Sequence, residues 1–199
     1  MILLDAGHGG IDEGVYVTPN KRHYDSQVKI AEGQLNRAVI NLVGYELHKR
    51  GVPISFISGQ IPDTSLSERV RRVNWLSGRH NCFLLSIHHN WFSSPVARGA
   101  EFFTSIGDTD ADEYAEYIYQ RFMAKYPHRK ARKDYSDGDA DKEANFRILR
   151  ETYCPAVLSE WGFMSNAWDR EYMTMQGILD QSEFLVECLC KIEKDLVDG

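Results

Sequence analysis

The fold of this chain is decided by its opening stretch, Leu3-Leu4-Asp5-Ala6-Gly7-His8-Gly9-Gly10. The apolar segment Met1–Ala6 runs directly into a histidine that lies between glycines. Such a segment is typical of a buried strand, and the glycines let the backbone of the following turn approach a ligand closely. Because ligands of open α/β sheets bind beyond the carboxyl ends of the strands, His8 is a candidate site residue.

Strands and helices alternate along the rest of the chain. Hydrophobic periodicity predicts helices that begin at 32, at 63 or 65, at 108 and at 166, the last with an interruption near Gly177. Further strands are predicted over 53–58, 83–88, 100–104 and 156–159. This alternation favours an α/β fold in which a mostly parallel sheet of about six strands carries helices on both faces.

Two polar segments interrupt the alternation. Residues 18–22 predict a turn, which 15–18 and 27–30 could flank as a hairpin. Residues 130–142 are charged and rich in Gly and Asp, and they predict a loop. The basic run at 128–133 is interpreted as a solvated part of that loop.

Composition excludes several classes of protein. Lys and Arg number 23 against 29 Asp and Glu, a net charge of −6, which argues against a nucleic-acid binder. No apolar stretch approaches the roughly 20 residues of a membrane span. The N-terminus lacks the basic and apolar regions of a signal peptide.

Four ionisable residues fall at predicted strand exits or helix starts, namely His8, Glu32, His88 and Glu160. Strand ends on one side of a parallel sheet converge, so these side chains are expected to meet. Two imidazoles, one carboxylate and an open position make a catalytic zinc site, and the fourth group could handle the proton of an attacking water. Spacing alone leaves the roles of Glu32 and Glu160 exchangeable. A carboxylate among the apolar neighbours of Glu160 is costly unless it is paired or bound to a metal.

The same positions lie in motifs that resemble those of zinc-dependent N-acetylmuramoyl-L-alanine amidases of the amidase-3 type. The resemblance covers almost the whole chain and includes residues 5–12, Glu32 with Leu35-Asn36, Arg69 and Asn74 in the second helix, residues 86–90 and residues 155–166. It implies a twisted, mostly parallel sheet with helices on both faces. The four motifs that contain His8, Glu32, His88 and Glu160 occur in the order that the family has.

The resemblance also implies the chemistry. His8, Glu32 and His88 would hold one Zn²⁺, and Glu160 would take a proton from water and pass it to the leaving amine. The bond cut would be the amide between the lactyl group of N-acetylmuramic acid and L-alanine in peptidoglycan. Such a hydrolase degrades the cell wall and is bacteriolytic.

Other residues receive supporting roles. Asp5 or Asp12 could orient a ligand imidazole, or could form the turn. The resemblance places Arg147 on a substrate-facing strand, where it could pair with a stem-peptide carboxylate instead of forming a surface salt bridge. Asn90 could contact substrate. His89 should point away from His88 and is not expected to bind the metal.

Residues 1–199 are expected to form a single amidase catalytic domain without a separate cell-wall-binding domain, and to act as a monomer. The partner would be peptidoglycan, with no nucleic acid and no membrane. These features resemble a phage endolysin, made in the cytoplasm and acting on the wall; a trimmed domain of an exported autolysin is the alternative. Residues 14–31 could form a hairpin beside the cleft or a loop without that role.

Three rival functions fit the sequence less well. A zinc carboxypeptidase acting on stem peptides would want an arginine-lined pocket, and the chain has no HxxE motif. A catalytically dead wall-binding module is disfavoured, because all four positions for zinc chemistry are filled. A serine hydrolase lacks its nucleophile, since no Gly-x-Ser-x-Gly elbow occurs.

Overall fold

The structure is a computed structural model that describes residues 1–12, 15–16, 18, 20–24, 29–136 and 138–198, with the backbone alone for 12, 15, 16 and 24. Within these residues the chain forms ten strands and six α-helices. In chain order they are β1 (Ile2–Ala6), β2 (Ile11–Asp12), β3 (Val15–Tyr16), β4 (Arg22–Tyr24), β5 (Lys29–Ala31), α1 (Glu32–Lys49), β6 (Ile54–Ser58), α2 (Leu66–Ser77), β7 (Phe83–Asn90), β8 (Glu101–Thr104), α3 (Asp110–Lys125), β9 (Lys142–Glu143), α4 (Arg147–Arg150), β10 (Ala156–Phe163), α5 (Ala167–Arg170) and α6 (Met175–Asp198).

One six-stranded sheet organises the molecule, in the order β6-β1-β7-β10-β8-β9. All its pairings are parallel except that of β10 with β8. The single α/β domain with a mostly parallel sheet confirms the fold predicted from the sequence. β1, β7 and β10 are adjacent and parallel, so their carboxyl ends face the same edge of the sheet.

Alternate residues of the central strands pack on opposite faces of the sheet. On one face α1, α3 and α6 cover Leu4, Ile87 and Trp161. On the other face α2 and the one-turn helix α4 cover Leu84 and Leu158. Fully burying a side chain of this size stabilises the fold by about 1.5–3 kcal/mol. Strands that are buried on both faces therefore have near-continuous apolar sequences.

Helix boundaries follow capping chemistry. Ser65 caps α2 by accepting a hydrogen bond from the Glu68 backbone N–H, and Thr109 caps α3 in a capping box with Asp112. The break in the C-terminal helical region lies at Thr174, three residues before the position expected from the sequence.

None of the helices in the described part of the chain has the length and apolar character needed to cross a bilayer.

The two polar segments differ from the sequence predictions. Residues 17, 27 and 28 of the predicted hairpin of 15–18 with 27–30 lie outside the described residues. The described remainder contradicts the prediction, because β3 pairs with β2 and β5 pairs with β4 in two separate ribbons. Pairing between segments that are near in sequence costs less chain entropy than the longer-range pairing of the predicted hairpin. The predicted loop over 130–142 ends in a strand, since Lys142 pairs with Phe103 at the edge of the sheet. Asp137 in that loop lies outside the described residues.

Candidate metal centre

His8 sits on the turn that leaves the central strand β1. The Gly7 backbone N–H still donates to the Ile87 carbonyl at 3.0 Å, so the pairing with β7 continues up to the residue before the histidine. His8 has φ 63°, a left-handed conformation that few residues other than glycine adopt. Gly7 must be glycine, because a Cβ there would lie 2.1 Å from the His88 ring. The turn thus brings the two imidazoles together, with ring centroids 5.1 Å apart.

Glu32 enters the cluster from the first residue of α1. No side chain caps this helix start, and the Glu32 backbone N–H donates to the Lys21 carbonyl at 3.0 Å. The Glu32 carboxylate is buried and points at both histidines, with Oε1 3.2 Å from His8 Nε2 and 3.0 Å from His88 Nδ1. Gly33 allows this approach, since a Cβ there would collide with the Gly9 carbonyl oxygen at 1.9 Å.

The donor atoms of His8, Glu32 and His88 all lie within 4.8 Å of one another. Ligand atoms about 2.0–2.2 Å from a tetrahedral zinc are roughly 3.3–3.5 Å apart. The two imidazole-to-carboxylate distances, 3.2 and 3.0 Å, are close to that spacing. Two imidazole nitrogens and one carboxylate oxygen are also a donor set typical of catalytic zinc. These three residues therefore fit a metal ion.

The electrostatics of the cluster favour an ionised carboxylate. Burial raises the pKa of Glu32, but hydrogen bonds and charge interactions with His8 and His88 outweigh it and hold that pKa well below its usual range. The ammonium group of Lys21, 3.8 Å from Glu32 Oε2, adds positive charge nearby. Glu32 is thus an anion at neutral pH, as a metal ligand must be.

Glu160 lies opposite His88 in the parallel pairing of β10 with β7. It belongs to the middle of a strand that continues to Phe163, beyond the end predicted at 159. Its Oε2 atom is buried and has no hydrogen-bond partner in the described part of the chain. Burial raises the pKa of Glu160 to about 8; the charge of His88 opposes the shift, and the carboxylates of Glu32 and Glu101 add to it. A buried carboxyl without a partner beside a metal-binding cluster is suited to proton transfer.

Asp5 has a different role from the one expected. Its buried carboxylate accepts hydrogen bonds from Ser58 Oγ, from Ser86 Oγ at 2.7 Å and from Arg69 Nη1 at 3.0 Å. Arg69 Nη1 also donates to the Ala6 carbonyl at 2.7 Å. The prediction that Asp5 orients an imidazole is therefore corrected: its side chain faces α2, and it fixes Arg69 beneath the metal-binding turn.

A chain of hydrogen bonds continues from Arg69 to the turn itself. Arg69 Nη2 donates to Asp63 Oδ1 at 2.9 Å, and Thr18 Oγ1 donates to Asp63 Oδ2 at 2.6 Å. The Gly9 backbone N–H then donates to Thr18 Oγ1 at 2.7 Å. The residue after His8 is thus tied through side chains to the buried arginine.

His89 supports the site from the opposite face of the sheet. It is buried, and its Nδ1 lies 2.8 Å from Asn36 Oδ1. Asn36 Nδ2 in turn donates to the Gly7 carbonyl at 3.0 Å. Burial lowers the pKa of His89 to about 4, so the ring is neutral at pH 7. The structure thus confirms that His89 points away from His88 and adds a positioning contact to the turn.

The remaining predicted residues lie outside the three-residue cluster. Asn90 Nδ2 donates to Glu101 Oε2 at 3.0 Å. Arg147 begins helix α4 and is not on a strand, which corrects that expectation; its guanidinium donates to Glu151 and to Ser67, both at 2.7 Å. The Asp12 side chain lies outside the described residues. Contact of Asn90 or Arg147 with substrate stays a prediction.

Sequence reasoning missed a second buried carboxylate, Glu101. It is 3% exposed and lies opposite Glu160 in the antiparallel pairing of β8 with β10. Arg132 Nε donates to Glu101 Oε1 at 2.9 Å and Lys142 Nζ at 2.7 Å. The sequence could have indicated Glu101, because burying a glutamate within an apolar strand costs free energy unless the carboxylate is paired. The same reason singled out Glu160.

Comparison with known proteins identifies the family of this sequence. Residues 2–182 match the family model of N-acetylmuramoyl-L-alanine amidases. The chain belongs to this family. Among curated amidases, CwlM of Bacillus licheniformis is 30% identical over 180 residues, which cover 89% of the chain and 62% of CwlM. The probable cell wall amidase LytH of Staphylococcus saprophyticus is 24% identical over 173 residues, which cover 87% of the chain and 51% of LytH.

The amidase family fold is also found by structural comparison. The N-acetylmuramoyl-L-alanine amidase of Clostridium difficile 630 superposes with a TM-score of 0.77, covering 96% of this chain and 94% of that one at 23% identity. At that identity the likeness establishes the fold alone. The chain spans between half and two thirds of the length of the two curated relatives named above.

Proposed function

We propose that this amidase domain hydrolyses the amide bond between the lactyl group of N-acetylmuramic acid and the L-alanine of the stem peptide in peptidoglycan. The observation that carries the proposal is the convergence of His8, Glu32 and His88 within 4.8 Å, with Glu160 opposite His88. Family membership supports the choice of bond. Degradation of the cell wall would be the consequence, and the wall would be the place of action.

His8, Glu32 and His88 would hold one Zn²⁺. When bound there, zinc supplies Lewis-acid polarisation of the scissile carbonyl and acidifies water. Glu32 suits the ligand role because its carboxylate touches both imidazoles and stays ionised. The geometry favours this assignment over an exchange of roles with Glu160, whose buried Oε2 has no partner in the described part of the chain.

Glu160 would be the general base and then the general acid. Its carboxylate would accept a proton from the attacking water as the new C–O bond forms. The same carboxyl would give the proton to the L-alanine nitrogen as the C–N bond breaks, so that the amine leaves neutral. Its place opposite His88, beside the metal-binding residues, suits both transfers.

The residues around these groups would hold the metal-binding turn in its orientation. Arg69 and Asn36 hold the backbone of the metal-binding turn through the carbonyls of Ala6 and Gly7. Preorganisation of this kind keeps donor atoms in place before substrate arrives. Asn90 remains a candidate for direct contact with substrate, two residues after His88.

Product analysis on purified peptidoglycan tests the proposal. The expected products are intact stem peptides with a free L-alanine amine, together with glycan strands that keep their muramic acid. Release of free amino acids from the ends of stem peptides would instead indicate a carboxypeptidase. Failure to release either product in the presence of zinc would contradict the proposal.

A further inference from the structure

A row of ionisable side chains crosses the sheet beside the metal centre. His88 pairs with Glu160, and Glu160 pairs with Glu101, so the three residues lie on one face of three adjacent strands. Neighbouring strands are about 4.7–4.9 Å apart, which places the Glu101 backbone roughly 10 Å from that of His88. Glu101 is 3% exposed and marks the far end of the row.

Glu101 is paired with two cations, one more than its single negative charge requires. Its Oε1 accepts from both Arg132 Nε and Lys142 Nζ, and its Oε2 accepts from Asn90 Nδ2. One buried carboxylate is neutralised by one cation, so the second cation leaves the group with a net charge of about +1. This positive group lies one strand away from the unpartnered carboxyl of Glu160.

The two cations are held in place and reach solvent. The Arg132 side chain is 37% exposed and that of Lys142 is 28% exposed, whereas Glu101 beneath them is buried. Arg132 binds Glu101 through Nε, which leaves its two Nη groups without an acceptor in the part of the chain that the structure describes. The ring centroids of Phe163 and Phe103 lie 5.5 Å from the guanidinium and 5.1 Å from the ammonium. Free guanidinium donors on an anchored stem are suited to a carboxylate ligand.

We propose that Arg132 and Lys142, anchored by Glu101, form a subsite that binds a free carboxylate of the stem peptide. The inference rests on the proposed function, because it takes the scissile amide to lie between the metal centre and Glu160. An extended peptide advances about 3.3–3.6 Å per residue, so the roughly 10 Å from His88 to Glu101 covers the first two or three residues of the stem. A carboxylate on one of those residues can reach the two cations.

The test compares two muramyl peptides that differ in one group. One carries a free carboxyl on the second residue of the stem, and the other carries the corresponding carboxamide. Both are given to the wild type, to Arg132→Met and to Lys142→Met. Each variant keeps one cation on Glu101, so the buried carboxylate stays paired and the fold should survive, which thermal unfolding would verify. Arg71→Met, an exposed arginine paired with Glu68 on α2, is the matched control.

The wild type should show a kcat/KM about tenfold higher for the acid than for the amide, because a charge-assisted hydrogen bond is lost with the carboxyl. Arg132→Met and Lys142→Met should move that ratio towards one, mainly through KM, and Arg71→Met should leave it unchanged. A wild-type ratio near one would overturn the subsite. So would variants that lose activity on both peptides equally while keeping the ratio.

Binding of the free stem peptides separates this proposal from the proposed function. The acid and amide forms of the peptide without muramic acid are titrated calorimetrically into wild type and Arg132→Met. If the wild type binds the acid more tightly than the amide and Arg132→Met does not, the subsite is supported even if the lactyl–alanine bond is not cut. Equal binding of both forms contradicts the subsite even if the bond is cut.

Discussion

Glu160 and His88 face each other across the parallel pairing of β10 with β7. A carboxyl and an imidazole therefore project from the same face of the sheet, one strand apart. Glu32 reaches His88 from the start of α1, with Oε1 3.0 Å from Nδ1. The site thus joins two adjacent strands and a helix start that are far apart in sequence, and each contributes one ionisable group.

Gly7→Ala should damage the metal centre. The new Cβ would lie 2.1 Å from the His88 ring, which must move and thereby lose its place beside Glu32. We expect a stability loss of about 1–3 kcal/mol and a metal content well below one ion per chain. Gly10→Ala is the control within the same motif, because its Cβ would meet nothing closer than 3.5 Å. Equal metal content in the two variants, by elemental analysis, would contradict this account of Gly7.

Arg69→Met should destabilise the fold strongly. It leaves the carboxylate of Asp5, 1% exposed, without its cation, and it removes the donor to the Ala6 carbonyl. Breaking a buried ion pair in this way costs about 3–5 kcal/mol. Arg71→Met, whose partner Glu68 lies on the surface, should leave the urea midpoint unchanged. Matching midpoints for the two variants would show that the buried pair is dispensable.

Asp141→Asn should alter how stability depends on pH. Burial raises the pKa of Asp141 from 3.8 to about 8, and the carboxyl of Asp139 adds to the effect. The folded state therefore keeps a proton that the unfolded state loses, so stability falls as pH rises through that interval. Asparagine imitates the protonated acid, still accepts from Thr104 Oγ1, and should stabilise the fold by about 1–3 kcal/mol at pH 8.

The control for this titration is Asp195→Asn, which removes an exposed carboxylate paired with Lys191. Thermal melts between pH 5 and pH 8 should show a flatter stability profile for Asp141→Asn and an unchanged slope for Asp195→Asn. An unaltered slope in Asp141→Asn would mean that Asp141 is already ionised in the folded protein at pH 5.

Chelation should remove activity reversibly. We expect dialysis against a chelator to abolish hydrolysis of peptidoglycan and added zinc to restore it, because the donor set of the cluster suits that ion. His88→Ala and His8→Ala should keep neither metal nor activity after zinc is added. His48→Ala, an exposed histidine on α1, should behave as the wild type. Full activity of the wild type after dialysis against the chelator would show that hydrolysis needs no metal.

The sequence carried enough information to find the four central residues. His8 and His88 follow apolar strands, Glu32 starts a periodic helix, and Glu160 lies among apolar neighbours. Each signal depends on local pattern, and the parallel topology then brings the residues together. The structure unites three of them in one cluster and places Glu160 opposite His88.

The supporting contacts could not be predicted in the same way. The partner of Asp5 depends on where α2 crosses the sheet, since Arg69 is 64 residues away along the chain. The strand Lys142–Glu143 is too short to show any periodicity, and it forms where Lys142 pairs with Phe103, which brings its ammonium group to Glu101. Long-range packing therefore determines which cations and hydroxyls surround the site, whereas the local pattern determines the site itself.

The proposed mechanism has Glu160 transfer protons beside a metal ion that His8, Glu32 and His88 would hold. Its most direct test is the single-turnover release of L-alanine-terminated stem peptides by Glu160→Gln, measured with metal content on the same sample. We predict one zinc ion per chain, an unchanged melting temperature and a rate about 10²–10⁴-fold below that of the wild type. A Glu160→Gln variant that releases stem peptides at the wild-type rate would contradict this mechanism.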